Sequence, residues 1–305
     1  MAVLETADHG PFNAWGRDRD AAIAYQNGMT DEQISAYLYG KTNDEIMSMY
    51  DGGYGGMISW PHMFKDGTVF PAADPLTLFE DIATYNEVPL IIGSNRDEMK
   101  LFMFADSTFG GRDDLYEVVT SYGSDVWKAT GVDQPARKLS SHADQPDVYA
   151  YQFLWGTLDE TGQSQLPDPY GFVLGALHGL EIPFFFGNEQ VFNGLNYLLF
   201  TEQNRPGREA LSEAMMQYAA QFARTGDPNP PGSGLPEWQP CSNETGGPKC
   251  ILFNVDEDQA LDIEMDTTEL TMEGVLETMV EEVPEPLLSE AAAYLEPWGE
   301  TFSSD

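Results

Sequence analysis

The sequence predicts an α/β fold, a mostly parallel sheet flanked by helices, and three observations predict it. The uninterrupted apolar run Val88-Pro89-Leu90-Ile91-Ile92 has the length and composition of a strand buried on both faces. A second run, Val148 to Trp155, has the same character. Between and after them lie stretches of helical periodicity, the alternation that supplies crossovers between parallel strands.

In chain order, Asp18 to Asn27 reads as a helix stopped by Gly28, and Thr30-Asp31-Glu32-Gln33 forms a capping-box pattern that opens the next helix before Ile34, Tyr37 and Leu38. A glycine-rich loop follows, in which Gly52, Gly53, Gly55 and Gly56 match neither GxGxxG nor a GK[ST] phosphate loop. Gly93 is expected to end the first strand, so that Asp97 and Glu98 emerge at its carboxyl end, where open α/β sheets keep their chemistry. Residues 101–145 read as helical and irregular, and Thr157 to Tyr170 as a polar, proline-containing loop leading to His178, which lies between Gly175 and Gly179. The stretch Arg208 to Thr225 puts Leu211, Met215, Tyr218 and Phe222 on one face and stops at Gly226, which marks a core-facing helix. Ile251 to Val255 reads as a further strand. Beyond it the residues are predicted to be an acidic helical extension, 256–305, appended to a domain over 1–255. That extension holds 16 acids and no Lys or Arg, with Leu270, Val275, Leu276 and Met279 at helical spacing.

Composition narrows the classes. With 305 residues and 42% apolar content the chain can bury a full core. A net charge of −37, from 51 acids against 14 bases, argues against nucleic acid or an anionic membrane as partner, since both demand Lys and Arg clusters. The same acidity suits a salt-adapted, halotolerant surface or an ordinary acidic protein. No run reaches the length of a membrane span and Met1 to Gly10 lacks an export signal, so a soluble protein is expected. Cys241 and Cys250 flank a polar turn. A disulfide between them would imply an oxidising, extracellular or periplasmic compartment, and free thiols are the alternative.

The chemistry centres on Glu98 and His178. An acid and a histidine, each set after a strand of one sheet, are two-thirds of a nucleophile, base and acid triad. On spacing alone Asp97 competes with Glu98 for the acid. His9, His62 and His142 have no HExxH or CxxC context, and nothing in the sequence supplies a third ligand to Glu98 and His178. No metal and no cofactor are expected.

GSNRDE followed by ALHGLEIPFFFG resembles the C-terminal half of the type-B carboxylesterases, the family that includes the cholinesterases. Ala210 to Pro231 with Leu235, Pro236 and Trp238, and Pro61 to Pro71, extend the resemblance. It implies an α/β-hydrolase-type fold, small-molecule carboxylic esters as substrates, and a Ser, Glu, His triad in which Glu98 is the acid and His178 the base. Asp97→Asn is then expected to cost little activity. Glu181 fits the pattern as a supporting residue, and Trp60 or Phe64 as a pocket wall. Met99 departs from the pattern, which has glycine there. The family's G-x-S-x-G elbow is also missing, because no serine here has glycines two before and two after it. Three readings follow: an acid-and-base portion whose serine lies upstream or on another chain, met by self-association or by that chain; a reduced hydrolase using an in-chain serine such as Ser164; or a non-catalytic binding module.

Overall fold

The computed structural model describes residues 27–47, 67, 73–188 and 195–302. The chain packs as two units, Met1–Ala73 and Asp74–Asp305. In the first, α1 (Asp31–Tyr39) opens with the predicted capping box: the Gln33 amide donates to the Thr30 hydroxyl and the Thr30 amide to Gln33 Oε1 at 2.9 Å. The helix read from Asp18, the glycine-rich loop, His9, His62, Trp60 and Phe64 lie outside the described residues.

The second unit is built on a sheet of order β1-β2-β3-β4, formed by β1 (Leu90–Asn95), β2 (Val148–Phe153), β3 (Cys250–Val255) and β4 (Leu261–Asp266). The first three strands run parallel, with Leu90 opposite Val148 and Tyr151 opposite Ile251, while β4 returns antiparallel. Two sequence expectations are corrected. Gly93 lies inside β1 instead of ending it, because the Tyr151 ring covers its face, and a Cβ there would sit 2.3 Å from the ring. The strand therefore runs on to Asn95. The segment after Val255 opens with a strand, since Leu261, Ile263 and Met265 alternate at period two and Ile263 faces the core. Helical structure begins only at α5 (Met272–Glu282) and continues in α6 (Leu287–Phe302).

Helices cover the sheet. The longest, α4 (Arg205–Thr225), starts three residues before its predicted bound, carries Pro206 in its first turn and ends at Gly226 with φ +79°. Its Leu211, Met215 and Tyr218 are fully buried, each contributing about 1.5–3 kcal/mol of transfer free energy. They join Phe153, Trp238, Ile251 and Phe253 in the main core. A second core forms where α2 (Asp113–Lys128) meets α5 and α6: Met99, Leu115 and Val119 pack against Met279, Val283, Ala291 and Leu295. The acidic tail thus shares a core with the turn that carries Glu98. Following α2, a π turn at Ala129–Asp133 leads on into α3 (Gln134–Leu139) and places Asp133 beside Lys128 at 2.7 Å, both nearly sealed from water, and Asp133 also accepts from the Leu270 amide. Both cysteines are free thiols, and Cys241 donates through sulfur to the Lys249 carbonyl. Among the described residues no helix is long and apolar enough to cross a membrane, and no group of acids, histidines and cysteines could hold a metal ion.

Candidate functional site

The site forms where β1 ends and the loop after β2 returns beside it. Asn95, the last residue of β1, turns its side-chain amide to the Leu177 carbonyl at 2.7 Å and to the Glu181 carboxylate. The Arg96 amide donates to Phe153 at the end of β2, which keeps the turn in register with the sheet. Asp97 then pairs with the incoming loop in a short parallel bridge: its amide donates to the Ala176 carbonyl, and its carboxylate accepts from the Ala176 amide at 2.9 Å. Backbone pairing across the parallel strands therefore carries Glu98 and His178 to the same edge, although 80 residues separate them.

His178 Nδ1 donates to Glu98 Oε2 at 2.6 Å. The other oxygen, Glu98 Oε1, accepts from the Asn95 amide at 2.7 Å, so the carboxylate is held at both ends. Glu98 is 4% exposed, whereas the His178 side chain is 38% exposed. One partner is an oriented, buried anion and the other is a ring open to a reacting group. Donation through Nδ1 fixes the tautomer and leaves Nε2 with the free electron pair. The Glu98 hydrogen bond holds the His178 pKa above its ordinary value, helped by the charges of Glu98 and Glu181 and opposed by burial. Burial raises the Glu181 carboxyl as well, against the Asn95 hydrogen bond that stabilises its ionised form. The His178 ring packs against a pair of aromatics, with Phe102 at 5.5 Å and Trp127 at 5.3 Å between centroids, and these two stack on each other at 5.9 Å, so the three rings form a triangle.

Of the residues the sequence singled out, the structure brings together Glu98, His178, Asp97 and Glu181. Only Glu98 of the two competing acids meets the imidazole; Asp97 turns to Ala176 and Lys100 instead. Met99, where the resembling family has glycine, adopts helical backbone with φ −69° and buries its side chain against Gly123 and Leu295, so glycine is not required there. Ser164 is not brought to His178. Its hydroxyl donates to the Gly156 carbonyl at 2.6 Å and accepts from the Leu166 amide at 3.0 Å, and among the described residues no hydrogen bond joins it to the imidazole. His142 serves the fold by bonding to the Phe79 carbonyl. Sequence reasoning missed Asn95, Lys100, Phe102 and Trp127. Asn95 lies inside the recognised GSNRDE segment, and the Lys100–Leu101–Phe102 turn follows it directly. Nothing local marks Trp127, which arrives from α2.

Comparison with known proteins identifies what the chain is similar to. The sequence profile of the carboxylesterase family matches residues 110–268, which include His178. Human cocaine esterase is 51% identical over 61 residues, 20% of this chain and 9% of that protein. Carboxylesterase 5A of Canis lupus familiaris is 30% identical over 211 residues, 57% of this chain and 34% of that protein. The chain thus spans about a third or less of these curated relatives. A solved carboxylesterase of Geobacillus stearothermophilus superposes with a TM-score of 0.50 at 23% identity, covering 81% of this chain and 52% of that one, a likeness that speaks to the α/β-hydrolase fold. With a matching profile across half its length, that fold, and an acid and histidine paired at the edge of the sheet, the chain belongs to the carboxylesterase family.

Proposed function

We propose that this chain carries the acid and base of a serine-type carboxylic-ester hydrolase acting on small-molecule esters. The observation that carries the reading is the 2.6 Å contact between His178 Nδ1 and the buried Glu98 carboxylate, which presents Nε2 of a half-exposed ring. In this reading Nε2 removes the proton of an attacking hydroxyl as it bonds to the ester carbonyl carbon. The Glu98 charge stabilises the imidazolium so formed, and Nε2–H then protonates the departing alcohol. A water molecule repeats the cycle on the acyl intermediate.

The nucleophile in this reading comes to His178 from residues outside those described or from another chain. Ser164 would have to give up both of its present hydrogen bonds.

The test is hydrolysis of a short-chain nitrophenyl ester, together with labelling by a serine-directed phosphonate and identification of the labelled residue. His178→Ala is expected to lower turnover by about 10²–10⁴-fold or more, the range of general acid–base catalysis. Turnover that survives His178→Ala undiminished refutes the reading. Label on Ser164 would favour the reduced hydrolase, and label only after a second chain is supplied would favour a shared site.

A further inference from the structure

The turn beside the Glu98–His178 pair holds a second ion pair that the proposed chemistry does not use. Asp97 and Lys100 are 9% and 8% exposed, and Lys100 Nζ lies 2.9 Å from Asp97 Oδ1. The other oxygen, Asp97 Oδ2, accepts from the Ala176 amide two residues before His178, while the Asp97 amide donates to the Ala176 carbonyl. The loop approaches so closely that Gly175 has no room for a side chain: a Cβ there would lie 2.2 Å from Asp97 Oδ2 and 3.0 Å from Lys100 Nζ. One carboxylate oxygen and the backbone amide of Asp97 are thus committed to the loop that carries the base, and Lys100 holds the other oxygen. A buried pair that served only stability would be exchangeable for apolar residues at little cost, yet this one is built around a directional bond to a backbone amide.

From this we infer that Asp97 is a positioning residue, its carboxylate, oriented by Lys100, holding the Ala176–His178 loop at the distance that lets His178 Nδ1 reach Glu98. The inference rests on the Glu98–His178 reading and deepens it. Asp97 touches no reacting atom and acts through His178. Other charged groups around the turn hold different parts of it: Arg96 pairs with Asp125 on α2, and Glu181 bonds to Asn95. Asp97 and Lys100 are thus the charged side chains that grip the loop just before the histidine. The expectation that Asp97→Asn costs little is reversed, because asparagine would offer one oxygen to two donors and leave the Lys100 charge buried without its counter-ion.

The experiment is proton and nitrogen NMR of the His178 imidazole in the full chain, reading the Nδ1–H resonance and its exchange with water. Wild type is expected to show a downfield, protected Nδ1–H that Glu98→Gln abolishes; its absence refutes the Glu98–His178 reading itself. If it is present, Asp97→Asn should speed its exchange roughly tenfold, the factor corresponding to one hydrogen bond's net contribution. Asp97→Asn combined with Lys100→Met, which restores a neutral bracket and frees the asparagine oxygen for Ala176, should bring protection back. Glu269→Gln, which breaks the remote Arg137 and Lys249 pairs, serves as the control for general destabilisation. An Nδ1–H unchanged in Asp97→Asn, or altered equally by Glu269→Gln, overturns the inference while leaving the acid–base pair intact.

Discussion

Replacing Gly175 by alanine tests how tightly the histidine loop is seated, and a second glycine in the same unit supplies the reference. Gly175 and Gly162 both have left-handed backbone, at φ +52° and +80°. A side chain at Gly162 would meet nothing within 4 Å, so Gly162→Ala introduces only backbone strain of about 1–2 kcal/mol. At Gly175 the same strain is joined by a Cβ 2.2 Å from Asp97 Oδ2 and 2.6 Å from its carboxyl carbon. Both are buried and fixed by Lys100 and the Ala176 amide, so relief means displacing the loop. Overpacking costs about 1–3 kcal/mol, and an Ala176 amide or Asp97 oxygen left unsatisfied adds about 1–3 kcal/mol. Gly175→Ala is therefore expected to lose about 3–8 kcal/mol, against about 1–2 for Gly162→Ala. Urea unfolding followed by near-ultraviolet circular dichroism, extrapolated to water, measures both. Equal losses in the two variants would show that the loop has slack and that the bracket at Asp97 does not constrain it.

Other consequences follow from the same structure. Lys128→Met leaves Asp133 buried without its cation and should cost about 3–5 kcal/mol near neutral pH. Because burial already raises the Asp133 carboxyl, the deficit should shrink as pH falls and that group protonates, and a loss that is constant with pH would contradict the assignment. His178 has a raised pKa, so its pairing with Glu98 stabilises the fold fully below the unfolded histidine value and loses that contribution as pH rises through the folded one. The stability difference between wild type and Glu98→Gln, measured by chemical denaturation across this range, should therefore be greatest in mild acid; a difference that grows with pH would be the wrong sign. With net charge −37, the melting temperature should climb between low salt and molar potassium chloride, as the Debye length falls from about 30 Å to about 3 Å. A flat or falling melting temperature would mean that structure already compensates the acids.

Periodicity and local chemistry alone were enough to read the parallel strands, the α4 stripe and its glycine stop, the capping box at Thr30 and the placement of an acid and a histidine after strands. Each of these depends on residues near one another in sequence: apolar spacing for a helix face, Thr30 with Gln33 for a cap, Gly226 for a left-handed stop. The choice between Asp97 and Glu98 was not local. Adjacent carboxylates leave a turn in different directions, and which one meets an imidazole depends on the loop that arrives 80 residues later. Gly93 misled for the same reason, since its missing side chain answers a tyrosine on the next strand instead of a turn in its own. Tertiary structure also decided that Ser164 spends its hydroxyl on its own loop, that Trp127 of α2 lies against the histidine, and that the acidic tail shares a core with the Glu98 turn. In each case the deciding neighbour is distant in sequence. Short-range patterns encode which face of an element is buried, whereas the partner that buries it is chosen by how the whole chain packs.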